Sequence, residues 1–217
     1  MYRLMILTIA VGLVLASARC TWTQALPAPS APVQPTPSVS GTVQQYLLTP
    51  HGEVEGLLLS DGTVVKFPPH LGAALASNVK PGDTVTALGF FGPVTPQGRA
   101  VKSLTITNTV TGRTVVDQPP TSRPLPPEQR GLTRVPLTVG GTVAHVLVND
   151  HGDVDGLILS TGEQVKFRPP NGATVVMLLG QQPGVTVQAS GYGTRNAFGT
   201  VVDADALTVG NQTIALR

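Results

Sequence analysis

Two six-residue runs hold the densest polar chemistry of the chain, His51-Gly52-Glu53-Val54-Glu55-Gly56 and His151-Gly152-Asp153-Val154-Asp155-Gly156. Alternate residues of an extended strand point to one side. His51, Glu53 and Glu55, and likewise His151, Asp153 and Asp155, could therefore offer an imidazole and two carboxylates to a divalent cation. The plainer use of the same runs is a hairpin turn, with glycine after histidine at the tip and acidic residues at its exit keeping the sheet soluble. Exchange of Glu for Asp between the runs preserves charge but changes reach, which argues against a hydrolytic carboxylate pair.

A second set of residues could bind rather than react. Lys66 and Lys166 alternate with Phe67 and Phe167, so each lysine takes the strand face opposite its phenylalanine. Phe90 and Tyr192 stand at equivalent places beside segments that carry Arg99 and Arg195, and an aromatic ring next to a guanidinium can stack a base or a sugar ring. The candidate ligand residues are thus Lys66, Phe90, Arg99, Lys166, Tyr192 and Arg195, against the simpler alternatives of solvated lysines and a buried ring. The chain contains no serine nucleophile elbow, no phosphate-cradling glycine loop and no H-E-x-x-H. The expectation is a non-enzymatic protein without a catalytic residue or cofactor.

What must position these residues is a duplicated unit. Residues 41–73 superimpose on 141–173 with 18 identities in 33 positions, and PGDTVTALGF (81–90) and SLTITN (103–108) match PGVTVQASGY (183–192) and ALTVGN (206–211). Between the copies, 111–137 is rich in proline and reads as an extended linker. The domains expected are 39–110 and 138–217, each folding alone, since a period of 100 residues is too long for a solenoid whose units share a core. Within a copy, 41–49 and 54–60 flank a turn at Pro50-His51-Gly52, and Asp61-Gly62 leads into 64–67 as a second hairpin. Leu71, Leu75 and Val79 lie on one stripe of a short helix that stops at Pro81-Gly82, and 85–91 and 100–107 complete five strands.

The order β-β-β-α-β-β, with the G-x-V…G-x-V-x-G-L-L-L-x-D-G-x-x-V-K-F-P-P-H pattern of 41–70, resembles the OB fold over both copies. The resemblance implies an all-β chain with one short helix per domain, built as two tandem five-stranded OB-like Greek-key barrels. It also implies that Lys66 and Lys166 lie on a strand lining the usual ligand face. Exported bacterial OB-fold proteins with one or two such barrels are similar; an SH3-like barrel, which lacks the helix, is the alternative.

Composition agrees with short strands and turns. Glycine and proline number 24 and 20, while charged residues are 12%, which excludes an all-helical bundle and a wholly disordered chain. Met1-Tyr2-Arg3 precedes an apolar run of 13 residues, Leu4–Ala16, shorter than the roughly 20 that span a bilayer. Residues 1–25 therefore read as a secretory signal peptide cut after Ala25, with Ala16-Ser17-Ala18 as a competing site. Arg19 before the single Cys20 disfavours a lipoprotein. Residues 26–38, with five prolines, read as an extended spacer.

Without Arg3 and Arg19 the 14 basic residues fall to 12, equal to the 12 acidic ones, so a phosphate-gripping basic face is not favoured. The leading expectation is an exported binding protein, periplasmic or secreted and without stable membrane insertion after cleavage, that contacts a protein or envelope polymer. A single-stranded nucleic-acid binder is the rival. A structural spacer module and a divalent-metal-binding envelope protein are the remaining alternatives.

Overall fold

The computed structural model describes residues 36–123, 126, 132–180 and 184–216. The readings of the signal peptide, of Cys20 and of most of the spacer lie outside them.

The first copy folds as β1 (Ser38–Leu48), β2 (Val54–Leu59), β3 (Val64–Lys66), a 3-10 turn at Pro69–Leu71 leading into α1 (Gly72–Asn78), β4 (Thr84–Phe91), β5 (Ala100–Asn108) and β6 (Thr114–Val116). The second runs β7 (Val135–Val148), β8 (Val154–Leu159), β9 (Gln164–Lys166), a turn at Pro169–Asn171, α2 (Gly172–Leu179), β10 (Thr186–Asn196), β11 (Gly199–Val209) and β12 (Gln212–Ala215). Antiparallel pairing runs β3-β2-β1-β4-β5, and β3 then pairs β5 in parallel through Val64↔Ala100, Val65↔Val101 and Lys66↔Lys102. The same closure joins β9 to β11. Each copy is thus a closed five-stranded barrel, the form that the OB-like resemblance implies, and closure removes the unpaired edges that a small sheet must otherwise protect.

Each barrel carries one strand more than the sequence suggests, β6 on β5 and β12 on β11. Strand β6 and the start of β7 lie inside 111–137, the segment read as linker. The prolines of that segment begin at Pro119, which leaves the β-branched Thr114-Val115-Val116 free to pair with Thr105–Thr107 and to bury Val115.

The helices plug the barrels through one apolar stripe. Leu75 and Val79 are fully buried, as are Val175 and, nearly so, Leu179. Tyr46 on β1 donates its hydroxyl proton to the Val79 carbonyl at 2.6 Å. Burial, and next the nearby charge of Asp83, raise the Tyr46 pKa above the ordinary tyrosine value. None of the described helices is long and apolar enough to cross a membrane.

The two barrels do not keep separate cores. Leu57, Leu58 and Leu59 are consecutive and all buried. In a pleated strand only alternate residues can face the barrel interior. Leu57 pairs with Val65 on the inner side, whereas Leu58 pairs with Val64 on the outer side. Leu58 and Val64, with Leu47 and Ala100, belong to the apolar cluster of the second barrel, and Val201 of β11 belongs to that of the first. The outer faces of β2 and β3 are covered by the neighbouring barrel, which is why Leu57-Leu58-Leu59 of β2 reads as a continuous apolar run.

Candidate functional site

The seam between the barrels gathers several of the residues singled out by sequence. On β9, Gln164 takes the outward position that Val64 holds on β3, and it is 1% exposed. Its amide accepts from the Leu48 backbone N–H at 2.9 Å and donates to the Tyr46 carbonyl at 2.7 Å, satisfying two backbone groups of β1 from the other barrel. Two positions further along, Lys66 Nζ lies 3.2 Å from Asp155 Oδ2 and 3.8 Å from Glu55 Oε1, and Lys166 Nζ lies 2.6 Å from the same Glu55 oxygen. Burial alone would lower the Lys66 pKa, but Asp155 and then Glu55 outweigh it and hold the ammonium above the ordinary lysine value. Asp155 Oδ1 is buried with no hydrogen-bond partner among the described residues.

These contacts are reciprocal. Gln45 Nε2 donates to the Gly162 carbonyl, while the matching His145 of the second barrel lies near Gly62. The hairpin tip at Gly52, with φ +85, receives Asn196 Nδ2 on its carbonyl at 2.7 Å, and Thr194 donates to Pro50 O. The other tip, Gly152 with φ +88, sits against Pro93 and Thr95. A Cβ on Gly52 would stand 2.6 Å from Asn196 Nδ2, and one on Gly152 2.7 Å from the Pro93 ring, so glycine serves both the left-handed turn and the close approach. Residue i meeting j while j meets i is the signature of an isologous contact, here formed within one chain by its two copies.

The ligand face that the resemblance places on the strand of Lys66 and Lys166 is therefore occupied by the other barrel, and both lysines are committed to ion pairs there. The two carboxylate trios do not hold together as cation sites. Glu55 and Asp155 face the lysines across the seam, Asp153 and His151 N–H groups donate to Asn149 Oδ1 in a side-chain-closed turn, and His51 and Glu53 remain half-buried at their hairpin. Among the described residues no three His, Cys, Asp or Glu side chains converge as metal ligands. A cavity of about 310 Å³ opens at the seam, lined by Glu55, Lys66, Lys102, Asp117, Asp150 and Asp155.

The aromatic pair remains on the open surface. Phe90 is 63% exposed and Tyr192 44%. The cause is local and the same in both copies: the β4–β5 register slips between Leu88 and Gly89, and the β10–β11 register between Ser190 and Gly191. Such a bulge re-aims the following side chain. The backbones close to the point where a Cβ on Gly89 would lie 2.1 Å from Lys102 O and one on Gly191 2.0 Å from Asp203 O. Only glycine permits that approach, and the ring that follows turns outward. In register across the sheet, Phe90 neighbours Lys102 and Lys66, and Tyr192 neighbours Asp203 and Lys166.

The two arginines do not join these rings. Arg99 lies 4.1 Å over the Phe91 ring, one residue on, and Arg195 Nε donates to Thr200 Oγ1 at 3.1 Å. Arg134, which sequence reading passed over, donates to Asp203 Oδ2 at 3.1 Å beside Tyr192, and Arg168 lines the same cleft. A usable signal existed in the differences between the copies, Gln164 for Val64 and Arg168 for Pro68, whereas acidic Asp203 takes the place of Lys102 only by strand pairing.

No protein-family model matches the chain, and no curated protein matches it.

Proposed function

We propose that this chain is a non-enzymatic exported binding protein whose two OB-like barrels are locked face to face and present outward-turned aromatic platforms to a protein or envelope polymer. The carrying observation is that both copies spend a glycine bulge to expose a ring, Phe90 in one and Tyr192 in the other. Exposed rings are enriched where proteins bind partners and cost little conformational entropy to use. With the second- and third-strand faces buried against each other, the rows on β4–β5 and β10–β11 stay open to a ligand. Export rests on Arg3 followed by the apolar Leu4–Ala16 run.

The test is co-sedimentation of the mature full-length chain with purified envelope sacculi, and photo-crosslinking to envelope proteins from a reactive residue at position 90. The double variant Phe90→Ser/Tyr192→Ser should lose this association while melting within about 4 °C of the parent, because both rings are exposed. Association that is undiminished in the double variant refutes the reading. Single-stranded nucleic acid is the second reading, favoured by the in-register row Phe90, Lys102, Lys66. A phosphate binder should weaken steeply between about 50 and about 200 mM salt; the four carboxylates around that row predict little binding at either.

A further inference from the structure

The second barrel adds to its platform a set of side chains that the first lacks. A cleft of about 250 Å³ beside Tyr192 is lined by Arg134, Arg168, Asp203, Asp205 and Leu216. The Arg134–Asp203 ion pair at 3.1 Å orients one guanidinium and one carboxylate at the rim. The cleft at the same place on the first barrel brings Pro68, Lys102 and Ser103 where the second has Arg168, Asp203 and Ala204.

We infer that the Tyr192 cleft binds one uncharged sugar ring of a glycan, which rests on the binding reading above and narrows its envelope polymer to a carbohydrate. A pyranose offers an apolar C–H face and a rim of hydroxyls, each both donor and acceptor. The exposed tyrosine ring suits the C–H face. The guanidinium N–H groups donate to hydroxyl oxygens and the carboxylate oxygens accept from hydroxyl protons, so neighbouring hydroxyls meet complementary partners. Two guanidinium groups and two carboxylates sum to zero charge. The cleft therefore carries no net charge to draw in a phosphate chain, its carboxylates offsetting its guanidinium groups. At about 250 Å³ it falls below the roughly 300–1,000 Å³ of pockets that enclose drug-sized ligands, which suits a single ring of a longer chain running over the surface.

The experiment is saturation-transfer NMR and calorimetric titration of the mature full-length protein with chitotetraose, cellotetraose and maltotetraose, beside tetragalacturonate as the anionic control. At least one neutral tetrasaccharide should bind in the millimolar range or tighter, with an affinity that changes less than about twofold between about 50 and about 500 mM salt. Tyr192→Ala should weaken binding at least about tenfold and Tyr192→Phe less than about threefold, since the ring face and not the hydroxyl carries the contact. Arg168→Ala, at a position that is proline in the other copy, should weaken it by a similar factor to Tyr192→Ala with the fold intact. Absence of binding by all three neutral sugars, preference for the anionic one, or binding indifferent to Tyr192→Ala overturns the inference. Sacculus association lost in Phe90→Ser but retained in Tyr192→Ala would leave the binding reading standing and remove the sugar cleft, whereas no association in any arm removes both.

Discussion

Replacing Gln164 by valine, the residue at the matching position of the first copy, should reveal how firmly the barrels are locked. The amide of Gln164 satisfies the Leu48 N–H and the Tyr46 carbonyl across the seam, and its side chain is almost wholly buried. Valine can do neither, and the closed packing leaves both backbone groups without a partner. Each orphaned buried group costs about 1–3 kcal/mol, so the pair should cost about 2–6 kcal/mol. For a chain of this size 1 kcal/mol moves Tm by about 2–4 °C, which places the expected drop at roughly 4–24 °C. The assay is thermal unfolding by circular dichroism, with the urea midpoint as a second measure. Gln164→Met retains most of the volume, so a loss shared by Met and Val belongs to the hydrogen bonds and not to a cavity. A change below about 0.5 kcal/mol in both variants would refute the reasoning, because it would mean that water reaches the seam and replaces the amide.

The ionic cluster yields a pH prediction. The Lys66 pKa is held above the ordinary value of 10.5, so the folded state binds that proton more tightly than the unfolded chain. Its contribution is fully present below the unfolded value and is lost as pH rises through the folded one. Tm of the parent should therefore fall more steeply than that of Lys66→Met between about pH 10 and about pH 12; parallel curves would contradict the assignment. Because Leu47, Leu58, Val64 and Ala100 pack into the second barrel's cluster, both barrels should unfold in one transition with calorimetric and van't Hoff enthalpies that agree, and two resolved transitions would show that the shared cluster does not couple them.

Much of the architecture was legible because it is written in local patterns. Asp61-Gly62 and Thr161-Gly162 specify hairpins, Val65 and Phe67 alternate inward around Lys66, and Leu75 and Val79 mark the helix stripe. Strand β6 was not legible, since three residues beside a proline-rich stretch carry too little signal to outweigh it. The site was read only in part. Phe90 and Tyr192 could be paired by the repeat, but whether a ring at a strand end points in or out turns on the bulge at Gly89 and Gly191, which depends on the register with β5 and β11. Arg134 lies 58 residues before Tyr192, and no spacing rule brings them together.

The amino-acid sequence by itself determined two copies of one barrel, because hydrophobic period, turn chemistry and duplication are properties of short segments. Only the tertiary structure decided that the copies meet face to face, so that Lys66 and Lys166 became internal ions and the rings beside them became the open surface. The reason is physical: an outward-facing Leu58 or Val64 looks the same in the sequence as an inward-facing one, and which surface covers it is settled by how another 80 or so residues fold around it.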